Sequence, residues 1–332
     1  MNFFKVFTGL GLAILAKNFA TNTFKRGYFK SKVVLITGAS KGLGLVLARE
    51  LLKEGASVAI CARKEDELER AKRELSRYGK DVHTIVCDVT NENQVQQMIL
   101  DILDYYGGLD ILVNNAGIIQ VAPMHAFKKQ DYEKAMNVMY WGMANTTLEV
   151  IPYFREQGAG QIVNITSVGG KVSMPHLLPY DASKFAAVGF SEGSAAELRK
   201  DGIYVTTIIP GLMRTGSFVN ADFQKGNKKE FNLFRILANL PLATISAEKA
   251  AHRILNAVRD KRAVKVIGIQ ARMLIELHHF FPNLTVKLFS LVNKQIPSSQ
   301  EREIVKGSEM ETQQGGHFRS MGQKEKENYQ SF

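Results

Sequence analysis

Between Lys32 and Ile267 the chain alternates short aliphatic runs with longer stretches in which apolar residues return every three or four positions. The runs are KVVLIT (32–37), ASVAI (56–60), VHTIV (82–86), LDILVN (109–114), GQIVNIT (160–166), IYVTTII (203–209) and AVKVI (263–267). Each is rich in β-branched residues and apolar almost throughout, which predicts strands covered on both faces. The stretches 43–54, 64–77, 91–106, 131–157 and 181–200 carry the helical period. Seven such strands separated by helices predict an α/β fold, a single doubly wound domain over 31–268 with a seven-stranded parallel sheet.

The two ends break this pattern. Val6 to Ala16 is apolar and lies between Lys5 and Lys17. A spanning helix needs about 20 apolar residues, so the 1–30 segment is read as an interfacial anchor, with a signal-peptide core or a helix packed on the body as the other readings. Residues 269–297 contain Arg272, Lys287 and Lys294 against Glu276, with Pro282 in the middle. Two short basic amphipathic helices fit, either completing the core or lying on a membrane. Residues 298–332 are polar and rich in Gly, Gln, Lys and Glu, a composition that predicts disorder.

Composition narrows the function classes. Of 332 residues 45% are hydrophobic, enough for a large core, and Cys61 and Cys87 are the only cysteines. No disulfide framework is available, so a cytoplasmic setting is expected, with peripheral membrane contact at the two apolar ends. Forty-three Lys and Arg against 32 Asp and Glu leave a net charge of +11, which suits an anionic partner or a phosphorylated ligand. The basic residues are spread along the chain without a recognised motif, so nucleic acid is not the expected partner. No metal is expected.

The first strand runs into TGASKGLG, which places Gly38, Gly42 and Gly44 between a buried strand and a helix start. Glycines let the backbone turn and approach a pyrophosphate, and the helix N-terminus offers unpaired N–H groups to it. The spacing T-G-x-x-x-G-x-G resembles the nucleotide loop of the short-chain dehydrogenase/reductase family. NNAG at 114–117, Asp88 after the third strand, and Pro210–Gly211 with Thr215 match that family's further motifs in order. The resemblance covers most of residues 32–267 and implies a Rossmann-type domain that binds a nicotinamide cofactor through Gly38, Ser40, Lys41, Gly42, Leu43, Gly44, Arg63, Asp88, Val89, Asn115, Ala116, Gly117, Tyr180, Lys184, Pro210, Gly211 and Thr215. It also implies a homodimer or homotetramer formed through the fourth and fifth helices.

Charge reads the cofactor further. A site for NAD ends its second strand with an acid that bonds the ribose 2′-hydroxyl. Here the strand ends AICARKEDEL, with Arg63 at that place and Lys41 in the glycine loop. Both suit a 2′-phosphate, so NADP(H) is expected.

PYDASKF (179–185) sets Tyr180 and Lys184 four residues apart, on one face of a helix. A nearby ammonium would lower a phenol's pKa from its usual value near 10. Ser167 precedes Tyr180 by thirteen residues at the end of the fifth strand, the interval seen in the family. By resemblance Tyr180 is the general acid/base, Lys184 lowers its pKa and holds the nicotinamide ribose, and Ser167 orients the substrate carbonyl. One position departs: relatives carry Asn three residues before the glycine of the long helix, whereas NVMYWG places Met139 before Gly142. Met cannot hold the water that Asn holds, and Asn137 lies on another face unless the helix is locally offset.

The segment 212–245 contains Leu212, Met213, Phe218, Phe223, Phe231, Leu233, Phe234, Ile236 and Leu237. It reads either as a lid over a lipophilic carbonyl or alcohol, such as a steroid, retinoid or keto lipid, or as a lid helix packed for its own sake. A β-ketoacyl thioester reductase and a catalytically slow NADPH-binding sensor or scaffold are the alternative functions.

Overall fold

The computed structural model describes residues 27–78, 82–240, 244–297, 301, 303–312 and 328–330. The expected anchor at residues 6–16 lies outside the described residues. The body begins with β1 (Val33–Thr37), α1 (Gly42–Lys53), β2 (Ser57–Ala62), α2 (Glu65–Leu75), β3 (Val82–Val86), α3 (Glu92–Tyr106) and β4 (Ile111–Asn114). It continues through β5 (Gln120–Val121), α4 (Lys129–Met136), α5 (Gly142–Gln157), β6 (Gly160–Ile165), α6 (Leu178–Glu197) and β7 (Ile203–Pro210). There follow β8 (Met213–Arg214), β9 (Asp222–Gln224), α7 (Lys228–Asn239), β10 (Ile245–Ser246), α8 (Ala247–Arg259) and β11 (Val264–Ile267). The last elements are α9 (Ile269–Phe280), α10 (Pro282–Asn293), β12 (Ile304–Lys306) and α11 (Gly307–Thr312).

Seven strands form one sheet in the order β11-β7-β6-β4-β1-β2-β3, every pair parallel. They are the seven aliphatic runs. The pleat sends Val34 and Ile36 into a core with α1 and α8, while Leu35 joins the opposite core with α3 and α5. Both faces are therefore buried, as continuous apolar strands require. The order reverses between β1 and β4, which opens a crevice at their carboxyl ends.

The expected helix over 131–157 is two helices, α4 and α5, joined by a wide turn at Asn137–Trp141 in which Gly142 N–H donates to Asn137 O, five residues back. The expected disorder of 298–332 does not hold where the structure describes it. β12 pairs antiparallel with β9, which pairs parallel with β5. This small sheet covers a third apolar cluster of Val121, Phe218, Phe223, Phe231 and Met310. Lys306 and Lys134 both reach Asp222, and Lys225 bonds Glu303 at 2.6 Å. Composition missed β12 because its stability comes from a partner strand far away in sequence. Among the described residues no helix is long and apolar enough to cross a membrane.

Candidate active site

The crevice begins with the loop after β1. Gly38 and Gly42 hold φ of +63° and +62°, and a Cβ on Gly38 would lie 2.7 Å from Ala116 Cα. A Cβ on Gly44 would lie 2.8 Å from the main chain of both Ala39 and Gly38. Only glycine fits these places. Lys41 caps α1 without a side-chain hydrogen bond, so the first N–H groups of that helix are left for a ligand. This cradle fits a pyrophosphate.

NNAG serves chiefly to hold the cradle. Thr37 Oγ1 accepts from Asn115 N–H (3.0 Å) and Ala116 N–H (3.1 Å), and Asn115 Nδ2 donates to the carbonyls of Thr37 and Gly38. The Asn115 side chain is thus spent on the loop. Beneath it Asn114 bonds Thr146, Thr147 and Asn164, and Asn164 bonds Ser191, which bonds Thr207. This buried chain ties β4, β6, β7, α5 and α6 together under the site; satisfied networks of this kind rigidify what they support.

The cations divide. Lys41 Nζ bonds Glu67 (3.1 Å) and Asn220 (3.2 Å), and Ser40 Oγ also donates to Glu67. Glu67 therefore meets the charge that Lys41 was expected to offer a phosphate, and bonds from Lys41, Lys64 and Ser40 outweigh burial and hold its carboxyl below the usual range. Arg63, just past β2, is exposed and makes no ion pair among the described residues. Asp88 Oδ1 accepts from Thr90 N–H and Oγ1, and Val89 packs on Gly142. Gly117 faces Met139 Sδ, 3.8 Å from where its Cβ would stand. Gly211 N–H bonds Ile267 O at 2.9 Å, fixing Pro210–Gly211 at the sheet edge.

Ser167 stands close enough to the Tyr180 phenol to favour its ionised form, and Ser167 Oγ accepts from Gly169 N–H at 3.0 Å. Lys184 Nζ lies 5.8 Å from the Tyr180 ring centre and donates to Ile165 O at 3.0 Å. A Cβ on Gly170 would lie 2.5 Å from Lys184 O, so the Ser167 loop lies directly on α6. The three side chains expected to act together do meet. Their electrostatics differ from expectation: burial pushes Tyr180 up to about 12 against the opposing influence of Ser167, and burial alone pulls Lys184 down to about 8. Lys184 Nζ is turned to Ile165 O and does not lower the phenol in this arrangement. Met139 is buried in the wide turn, and Asn137 is exposed, so the local offset does not bring the Asn137 side chain inward.

Two neighbours had not been singled out. Asp181 is fully buried; Oδ2 accepts from Met174 N–H (2.6 Å) and Ser173 Oγ (3.2 Å), while Oδ1 has no partner. Its acid sits inside the PYDASKF motif, and burial raises it to about 7. A carboxyl raised in the folded state costs nothing below about pH 4, and its penalty grows as pH rises toward 7. Asp181→Asn keeps the accepting oxygen and removes the charge. It is expected to stabilise the protein by about 2 to 4 kcal/mol at pH 8 and by little at pH 4, read by urea unfolding at both pH values. The second neighbour is the segment 328–330. Gln330 is buried beside Gly42, accepts from Asn220 Nδ2 (2.6 Å) and donates to Thr215 O, and Tyr329 OH donates to Glu248. No local pattern signals so distant a contact.

Comparison with known proteins decides the family. The short chain dehydrogenase family matches residues 32–225. The chain belongs to the short-chain dehydrogenase/reductase family. This family member is 34% identical to a dehydrogenase/reductase SDR family protein 7-like of Anopheles gambiae, over 77% of this chain and 81% of the relative. It is 31% identical to a fatty acyl-CoA reductase of Acinetobacter baylyi, over 81% of this chain and 87% of the relative. Its fold resembles that of an actinorhodin polyketide ketoreductase crystallised with NADPH, with a TM-score of 0.64, 28% identity, and coverage of 72% of this chain and 95% of that one. The chain is thus an oxidoreductase of a nicotinamide-binding family.

Proposed function

We propose that this short-chain dehydrogenase/reductase interconverts a ketone or aldehyde and the corresponding alcohol on a lipophilic substrate, using NADP(H). The observation that carries the reading is Ser167 at the carboxyl end of β6, facing Tyr180 on α6 with Lys184 one turn further on, its Nζ 5.8 Å from the Tyr180 ring centre. The nicotinamide, when bound, supplies or accepts the hydride. Ser167 orients the carbonyl oxygen, and Tyr180 gives its phenolic proton to the alkoxide that forms there. A phenol near 12 is protonated at neutral pH, which suits reduction. Lys184 holds a proton behind it at Nζ. Arg63 is the residue proposed to grip a 2′-phosphate, with Lys41 drawn from Glu67 in support.

Phe218, Phe223 and Phe231 fill the lid's own core, whereas Leu212, Leu233, Ile236 and Leu237 are exposed. The second group supports a lipophilic substrate. The homodimer or homotetramer through the fourth and fifth helices of the sequence reading is supported by exposed Leu148 on α5 and Phe185 on α6. Two buried free thiols accord with the proposed cytoplasmic setting. The second reading, a β-ketoacyl thioester reductase, is favoured by the likeness to the polyketide ketoreductase.

The test follows NADPH and NADH oxidation against lipophilic ketones, retinal and β-ketoacyl thioesters on both CoA and carrier protein. NADPH-dependent turnover of the free lipophilic carbonyls is expected. Turnover of thioesters alone establishes the second reading, and turnover of none of them overturns both.

A further inference from the structure

The helical pair α9–α10 leaves the sheet at the end of β11 and barely touches the body. Ala271 packs on Gly211 and Thr285 is buried; no other residue of the two helices is. Apolar side chains line the outside at helical spacing: Ile269, Met273 and Phe280 on α9, and Leu284, Leu288 and Leu291 on α10. These six are between 42% and 69% exposed, and a contiguous apolar face of this kind marks an interaction surface.

Charge says what covers it. Beside the root of α9, Lys265 is held below its usual range by partial burial and by the neighbouring Arg262, Arg272 and Arg253. Asp260 is the acid in that group and is already bonded to Arg262 at 3.3 Å. Lys287 on α10 and Lys294 just past its end add charge, against Glu276 on α9. A second copy of this chain would set one cationic face on another. The apolar 6–16 segment, flanked by Lys5 and Lys17, would leave the cations unanswered. A lipid surface with anionic headgroups meets both requirements: its acyl boundary takes the apolar stripes and its phosphates take the cations.

We infer that the α9–α10 pair is a docking surface for an anionic phospholipid bilayer. This goes beyond the proposed reaction and does not depend on it. The orientation has a consequence for the site. α9 starts at the carboxyl edge of the sheet, where the crevice opens, and the chain returns from α10 to the lid, where Asn227 Nδ2 donates to Pro297 O at 2.9 Å. Docking therefore holds the lid side of the molecule close to lipid.

The test is flotation of the full chain with vesicles of phosphatidylcholine alone and of two parts phosphatidylcholine to one part phosphatidylglycerol. The protein is expected to float with the anionic vesicles and to release in high salt. A full-length Leu284→Glu/Leu288→Glu variant is expected to lose about tenfold or more of that partitioning, with NADPH fluorescence enhancement unchanged as the check that it is folded. A full-length Leu12→Asp/Leu15→Asp variant is expected to keep most of it. Three results overturn the inference: no flotation of the unaltered chain, equal flotation with neutral vesicles, or loss in the Leu12/Leu15 variant with retention in the α10 variant. Sedimentation velocity provides a fourth, a dimer that the α10 substitutions dissociate, which would assign the face to a second copy.

Discussion

Tyr180→Phe lowers kcat/KM for carbonyl reduction by about a thousandfold or more and leaves NADPH affinity within about threefold. The phenylalanine keeps the ring and its packing beside Lys184, where Nζ stands 5.8 Å from the ring centre. It removes only the hydroxyl that faces Ser167 and would carry the proton. General acid catalysis by a positioned side chain contributes on the order of a hundred- to ten-thousandfold, and among the described residues no carboxyl or second phenol bonds Ser167. Asp181, the nearest carboxyl, is turned to Met174 N–H and Ser173 Oγ. The measurement is single-turnover NADPH oxidation beside a fluorescence titration of the cofactor. Activity within tenfold of the unaltered enzyme would count against Tyr180 as the proton donor, and a parallel loss of NADPH binding would point to structural damage.

The second large effect falls on cofactor choice. Arg63→Asp is expected to weaken NADPH use by about a hundred- to a thousandfold and to leave NADH use within a few-fold, so that the preference inverts. A charge-assisted bond contributes roughly 1.5 to 3 kcal/mol, and the substituted acid adds repulsion toward a 2′-phosphate while suiting a 2′-hydroxyl. The asymmetry between the two cations makes Arg63 the decisive one. Lys41 already faces Glu67 and Asn220, so a phosphate gains from it only what remains after that pairing is broken, whereas Arg63 has no ion pair among the described residues to give up. Kinetics with both cofactors for both proteins measure it. An unaltered enzyme that prefers NADH would refute the assignment before the variant is made.

What could be read in advance depended on how local its cause is. The aliphatic runs became the seven strands because parallel burial demands apolar residues on both faces, a demand written within five or six positions. The glycine loop and the Tyr180–Lys184 spacing are equally local. β5, β8, β9, β10 and β12 are two or three residues each, too short for any periodicity, and each exists through a partner elsewhere in the chain. At the wide turn of Asn137–Trp141, Gly142 lies against Val89 and Met139 against Gly117, neither of which is near it in sequence. The ionisation of the site was the least legible. Spacing put an ammonium near a phenol, but burial, which sequence does not display, raised one group and lowered the other. At Met139 the sequence did show a departure, and the structure adds that Met139 is buried while Asn137 faces outward.

The pairing of β9 with β12 also sets an order of events on the ribosome. Lys225 and Glu303 are separated by 78 residues, and the strand that completes the lid emerges only after the whole seven-stranded body has been made. Domains assemble from their N-terminal side during synthesis, and distant pairings come late. The nascent enzyme would thus hold a finished nucleotide crevice while Phe218, Phe223 and Phe231 still await their cover, and that interval is where a chaperone has most to protect.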